Sequence, residues 1–234
     1  MMMTLIVVAV VSGALLAGAA WGIYGRLGPR LEGFLIALAG GALILSLVSE
    51  LIEPAAREVP LHWAMGGVAM GAISFALLDY LIDEVWGGDS GGGLLAAITL
   101  DGVPENLALG VALIGAGPMA VAALAGSIFL SNLPEAAGGA RDMAKAGRSK
   151  GAVMLLWTAT AVLLSIAAIV GNVALAGVDP GVLAVIRCFA AGAVVASLAT
   201  EVFPKAYRED HHLAGIATAL GLVLAFLLGE LGPG

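Results

Sequence analysis

The amino-acid sequence predicts an all-α polytopic membrane protein of eight transmembrane helices, and three observations carry that prediction. Of 234 residues, 61% are apolar and 12% charged, with 34 glycines besides and a mean hydropathy of +1.05. Soluble domains run at about 45–50% apolar and about 25% charged, and disorder needs low hydrophobicity, so both alternatives are excluded. Apolar runs of helix length follow one another, whereas the strands of a β-barrel would alternate over about ten residues. Finally, lysine and arginine gather in the breaks on one side.

The first run, 3–24, lacks the basic residues that precede a secretory signal and reads as the first span. Spans 31–52, 62–84, 92–115, 117–139, 151–176, 180–203 and 212–231 follow. The breaks are YGRLGPR, IEPAAREVP, WGGDSGGG, GAGP, ARDMAKAGRSKG, AGVDPG and FPKAYREDHH, rich in turn-forming residues. They are short, so neighbouring helices run antiparallel and residues 1–234 form one transmembrane domain. Arg26, Arg30, Arg141, Lys145, Arg148, Lys150, Lys205 and Arg208 fall on one side, Arg57 alone on the other, and Arg187 inside span seven. By the positive-inside rule the first set is cytoplasmic, which puts both termini outside. With no targeting signal evident, the expected location is a bacterial-type inner (plasma) membrane. The ten basic residues form no stripe, so no nucleic-acid partner is expected. The expected partners are bilayer lipids and small solutes or ions, with a homodimer left open. The single cysteine, Cys188, makes no internal disulfide.

Carboxylates inside apolar spans are costly unless paired, solvated or ion-bound, so each needs a reason. Asp101 and Glu105 lie mid-span in LDGVPENLALG, and Glu135 in LSNLPEAAGGA. The segments align, with Pro104 on Pro134, Glu105 on Glu135, Asp101 on Ser131 and Gly102 on Asn132. Residues four apart share a helix face. Each proline removes a backbone donor and disturbs the preceding turn, freeing carbonyls near Leu100 and Leu130. Carboxylate, hydroxyl, amide and carbonyl oxygens therefore gather where two antiparallel helices meet, a donor set suited to a divalent cation. The plainer reading has the carboxylates hydrogen-bonded to one another, stapling the helices together.

Nearer the surfaces, Glu50 and Glu53 close span two, Glu201 closes span seven, and Asp79, Asp83 and Glu84 crowd one end of span three. Glu50, Glu53, Asp79 and Glu201 are candidate stepping stones between water and the central site. Glu84, His62, His211 and His212 read as interfacial groups. Arg187 needs a carboxylate partner or a route to water. A glutamate followed by a proline closes both span two and span seven, which run in opposite directions. An inverted repeat relating spans 1–3 to spans 6–8 around a central spans 4–5 pair would produce that pattern.

These paired Pro-Glu segments resemble the HNxPEG-type motifs of the ZIP (Zrt/Irt-like) divalent-metal transporters. The resemblance covers about a dozen motif residues and, in layout, essentially the whole chain. It implies metal ligands at Asp101, Glu105, Ser131, Asn132 and Glu135, and transport of zinc, iron, manganese or cadmium towards the cytoplasm. It further implies an elevator-like or rocking motion of a four-helix core against the repeat helices. The sequence departs from the motif at Asp101, where the family has His, and at Gly102, Asn106 and Ser131. Without imidazole, the donors lean towards manganese or iron(II) rather than zinc. Span six carries no carboxylate, so one metal rather than two is expected, and it is cargo rather than a cofactor.

Two other functions compete. The same carboxylates could relay protons in a proton- or cation-coupled carrier of a small organic solute. An intramembrane enzyme is disfavoured. The DG of LDGVPEN lacks the further aspartates of a phosphatidyltransferase, and no intramembrane His pairs with a serine nucleophile.

Overall fold

The computed structural model describes residues 2–82, 91–116 and 121–230, the side chains of Met3, 91–98, Leu100 and Asp101 excepted. The long elements are α1 (Met2–Tyr24), α2 (Pro29–Leu47), α4 (Leu61–Tyr80), α5 (Gly91–Ala112), α6 (Ala122–Lys145), α7 (Lys150–Leu175), α8 (Pro180–Ser197) and α10 (Ala214–Glu230). The short segments α3 (Glu53–Glu58) and α9 (Phe203–Glu209) continue α2 and α8 through π-turns at Val48–Ile52 and Leu198–Val202. The described residues thus form eight continuous helices. Five of them are long and apolar enough to cross a bilayer: Thr4–Tyr24, Pro29–Glu58, Leu61–Tyr80, Lys150–Leu175 and Pro180–Glu209.

The second and seventh helices run past the expected ends at 52 and 203, and the π-turns explain why. In each turn an i→i+5 bond replaces the α-helical one: Glu53 N–H donates to Val48 O, and Phe203 N–H to Leu198 O. Pro54 and Pro204 then enter the first turn of a new α-segment, where a missing N–H is tolerated. The fifth helix likewise continues beyond 139, because ARDMAK consists mostly of good helix formers. It stops at Gly147, whose φ of 88° permits a Schellman closure. Arg148 N–H donates to Met143 O at 3.1 Å, and Gly147 N–H to Ala144 O at 3.1 Å. Ser149 and Asp179 cap the starts of α7 and α8 with their side-chain oxygens.

The helices pack as two groups of four, α1 with α5, α6 and α7, and α2–α3 with α4, α8–α9 and α10. Within each group glycines bring backbones into contact. A Cβ added at Gly18, Gly22 or Gly110 would stand 2.1–2.3 Å from a carbonyl oxygen of a neighbouring helix in the first group. In the second group the corresponding values are 1.9 Å for Gly71 to Phe189 O and 1.9 Å for Gly221 to Leu38 O. Gly192 and Gly41 lie as close to Val68 O and Thr218 O, each at 2.0 Å. Gly71 and Gly221 stand 150 residues apart, as do Val68 and Thr218 and the two π-turns. The first group is also laced by polar side chains. Ser12 Oγ lies 2.7 Å from Ser165 Oγ, Asn132 Nδ2 donates to Val11 O at 3.3 Å, and Asn172 Nδ2 donates to Gly110 O at 3.1 Å.

Among the described residues, two apolar clusters are larger than the rest. One gathers Leu43, Leu47, Leu51, Leu109, Leu124, Ile128 and Val194 around the Glu50 end of the bundle. The other packs Leu15, Ala136, Ala140 and Trp157 between α1, α6 and α7.

Candidate functional site

Pro104 and Pro134 lie inside α5 and α6, as the motif alignment requires. One residue beyond Pro104, Glu105 is 4% exposed, and Asn106 is fully buried. Asn106 Nδ2 donates to Gly102 O at 2.9 Å, which leaves its Oδ1 buried with no partner. On α6, Ser131 and Asn132 are buried and Glu135 is half-buried. Asn132 spends its amide nitrogen on tying α6 to Val11 of α1. Asp101 lies on α5 one turn before Glu105, with its side chain outside the described residues.

The expected meeting of spans four and five is looser than the sequence implies. Helix α5 packs mainly on α7 and α8, and α6 on α1 and α2, so the two motif helices touch each other sparingly. Among the described residues, no group of three His, Cys, Asp or Glu side chains converges as for a metal ion. The described donors are two carboxylates, Glu105 and Glu135, with the Ser131 hydroxyl and the Asn132 amide beside Glu135 on the same helix.

The four stepping-stone candidates divide. Glu50 sits in the first π-turn and accepts the Leu124 backbone N–H at 2.9 Å, while its second oxygen is buried without a partner. It thereby serves an N–H of the first turn of α6, which has no partner within the helix. Glu53 turns outward instead and pairs with Arg57 at 2.5 Å, an exposed i,i+4 contact. Glu201 in the second π-turn and Asp79 on α4 are half-buried, and both are engaged. Asp83 and Glu84 lie outside the described residues. Arg187 has the carboxylate it needs, 3.7 Å from Glu58, and donates to Ile114 O at 3.3 Å. His62, His211 and His212 are exposed.

The sequence reading passed over Glu32. It is fully buried in the first turn of α2, 2.6 Å from Arg141 Nη1 on α6 and 4.0 Å from Lys205 Nζ on α9. Gly138 makes room for it, since a Cβ there would stand 1.9 Å from Glu32 Oε1. A signal was available: a glutamate just inside span two, with basic breaks ARDMAK and FPKAYR assigned to the same side. A scan of this chain against protein-family models matches none, and a search of curated proteins finds no significant similarity.

Proposed function

We propose that this chain carries divalent transition-metal ions across a membrane towards the cytoplasm, through a site between α5 and α6 formed by Asp101, Glu105, Ser131, Asn132 and Glu135. One observation carries the reading. Buried Glu105 and Asn106 follow Pro104 on α5, and buried Ser131 and Asn132 with half-buried Glu135 flank Pro134 on α6, within apolar stretches of both helices. Ionisable and amide groups at such depth call for an ion or a polar cargo. All donors at the motif are oxygens or amides, which favours manganese or iron(II) over zinc.

In this reading the eight helices all span the bilayer, with the arginine- and lysine-rich ends in the cytoplasm. Helices one to three and six to eight form an inverted repeat. The paired π-turns and the Gly71 and Gly221 crossings, each recurring at 150 residues, support that relation. The apolar cluster of Leu47, Leu51, Leu109 and Leu124 closes the Glu50 end. The opposite end carries Glu32, Arg141 and Lys205. An ion passes Glu50, rests between Glu105 and Glu135, and leaves past Glu201 and Asp79.

The test is uptake of zinc, manganese, iron(II) and cadmium into proteoliposomes by wild type and by a Glu105→Ala/Glu135→Ala variant. Ion-selective uptake that is lost in the variant is the expected result. Equal fluxes in the two proteins, or pH-driven solute transport that persists in chelator, would replace this reading with the organic-solute carrier.

A further inference from the structure

Three of the membrane-length helices have an end at one corner of the bundle: Thr4–Tyr24 finishes there, and Pro29–Glu58 and Lys150–Leu175 start there. Two contacts tie the connections at that corner together. Arg141 Nη1 donates to Leu27 O at 3.4 Å, and Lys150 Nζ lies 4.7 Å from the centre of the Tyr24 ring. The α1–α2 connection therefore lies against the turn that joins α6 to α7. Arg26 and Arg30 beside the first, and Lys145, Arg148 and Lys150 around the second, are all exposed.

The positive charge at this corner is left uncompensated. The acidic residues in the two connections and the turns that flank them are Glu32 and Asp142, and Arg141 takes both, at 2.6 and 2.9 Å. Among the described residues, none of the five exposed cations pairs with a carboxylate. No acidic residue stands in the first turn of α7, so Arg148 and Lys150 add to the positive end of the helix dipole instead of offsetting it. The basic residues of α9, at the same end of the bundle, are different. Lys205 lies 4.0 Å from Glu32, and Arg208 is followed by Glu209 and Asp210.

From this corner an exposed apolar strip runs along α7. Leu155, Val162 and Ile166 share one helix face, and Leu155, the nearest to the cations, is 72% exposed. The ends of bilayer-crossing helices lie at the level of the lipid headgroups, and clustered cations there attract anionic lipid. A soluble anion would satisfy the cations and leave the strip bare, whereas a phospholipid meets both. We infer that the corner of Arg26, Arg30, Lys145, Arg148 and Lys150 binds the headgroup of an anionic phospholipid, whose acyl chains lie along the Leu155–Ile166 face of α7. The site requires that the chain sit in a bilayer and is independent of what the chain carries.

Contact quenching tests the inference. A bimane probe is attached at Leu155→Cys in the full chain with Cys188→Ala, in vesicles of phosphatidylcholine with a minor share of phosphatidylglycerol. One lipid or the other carries brominated acyl chains, which quench the probe on contact. Brominated phosphatidylglycerol is expected to quench several-fold more than its share of the bilayer predicts. A probe at exposed Val170→Cys, about 22 Å farther along α7, should show no such preference. Each cation near an anionic surface strengthens the attraction roughly five-fold. Arg26→Gln/Arg30→Gln/Arg148→Gln/Lys150→Gln should therefore abolish the preference at 155, and high salt should weaken it, whereas Arg208→Gln leaves it intact. All four side chains are exposed, so the variant should melt with the wild type; if it does not, Arg148→Gln/Lys150→Gln replaces it and should lose most of the preference. Equal quenching by the two lipids at 155, or a preference that survives the substitutions, overturns the inference. Loss of the preference in millimolar inorganic phosphate at constant ionic strength also overturns it and assigns the corner to a soluble anion.

Discussion

The closest approaches inside each four-helix group differ in kind from those between α2 and α6. Inside, at Gly22 on Ala137 O, Gly71 on Phe189 O and Gly221 on Leu38 O, backbone lies directly on backbone. Between α2 and α6 the contacts are made by side chains: a carboxylate with a guanidinium, two hydroxyls, and a carboxylate on a helix start. A glycine notch fits one position of the opposing backbone and resists sliding, because close-packed interiors do not deform continuously. Side-chain pairs hold by their tips, which can adjust without moving the backbone. Backbone-on-backbone contacts thus lie within the groups, and side-chain contacts join α2 to α6.

The largest effect is expected where the side-chain interface between α2 and α6 is cut without replacement. Arg141→Met leaves the Glu32 carboxylate buried with only Lys205 nearby, and breaking a buried pair this way costs about 3–5 kcal/mol. A fall in melting temperature in detergent measures it, and adding Glu32→Leu should recover much of the loss. Next comes Gly221→Ala, whose Cβ would meet the Leu38 carbonyl. Overpacking of that kind costs about 1–3 kcal/mol. Gly138→Ala sharpens the contrast: its clash is with the movable tip of Glu32, so the same melting assay should show a smaller drop. Equal losses at 221 and 138 would remove the distinction between the two kinds of interface. Ser12→Ala removes one part-buried hydrogen bond to Ser165 and should cost about 1 kcal/mol. Arg57→Ala breaks an exposed pair with Glu53 and should shift stability by no more than about 0.5 kcal/mol.

Much of this was legible in the sequence. The apolar runs located all eight helices, and the breaks at LGP and VDPG sit where helices begin with proline at their first position. The Pro-Glu alignment singled out Pro104 and Pro134, which lie inside helices, and Glu105, Ser131 and Asn132 as candidate ligands, which are buried. Helix ends were harder. Proline normally stops a helix, so IEPAARE and FPKAYRE read as breaks, and nothing in composition marks a π-turn that lets the helix continue. Nor does sequence distinguish Glu50, which turns inward onto the start of α6, from Glu53, three residues later, which turns outward to Arg57. Glu32 escaped for a related reason. Its partners lie 109 and 173 positions away along the chain, and only the packing of α2 against α6 and α9 joins them.

The π-turns also set a phase. Each holds one residue more than the α-helical turn it replaces, so everything beyond it is rotated by about 100° about the helix axis. The direction of Glu58 towards Arg187 and of Lys205 towards Glu32 depends on that extra residue. Removing a single residue from Val48–Ile52 would restore a continuous hydrogen-bond ladder up to Pro54 and shorten the chain hardly at all. It would also swing Glu58 about a quarter-turn away and leave the Arg187 guanidinium, already buried at Nε without a partner, with no carboxylate to face. At these two places the number of residues matters more than their identity.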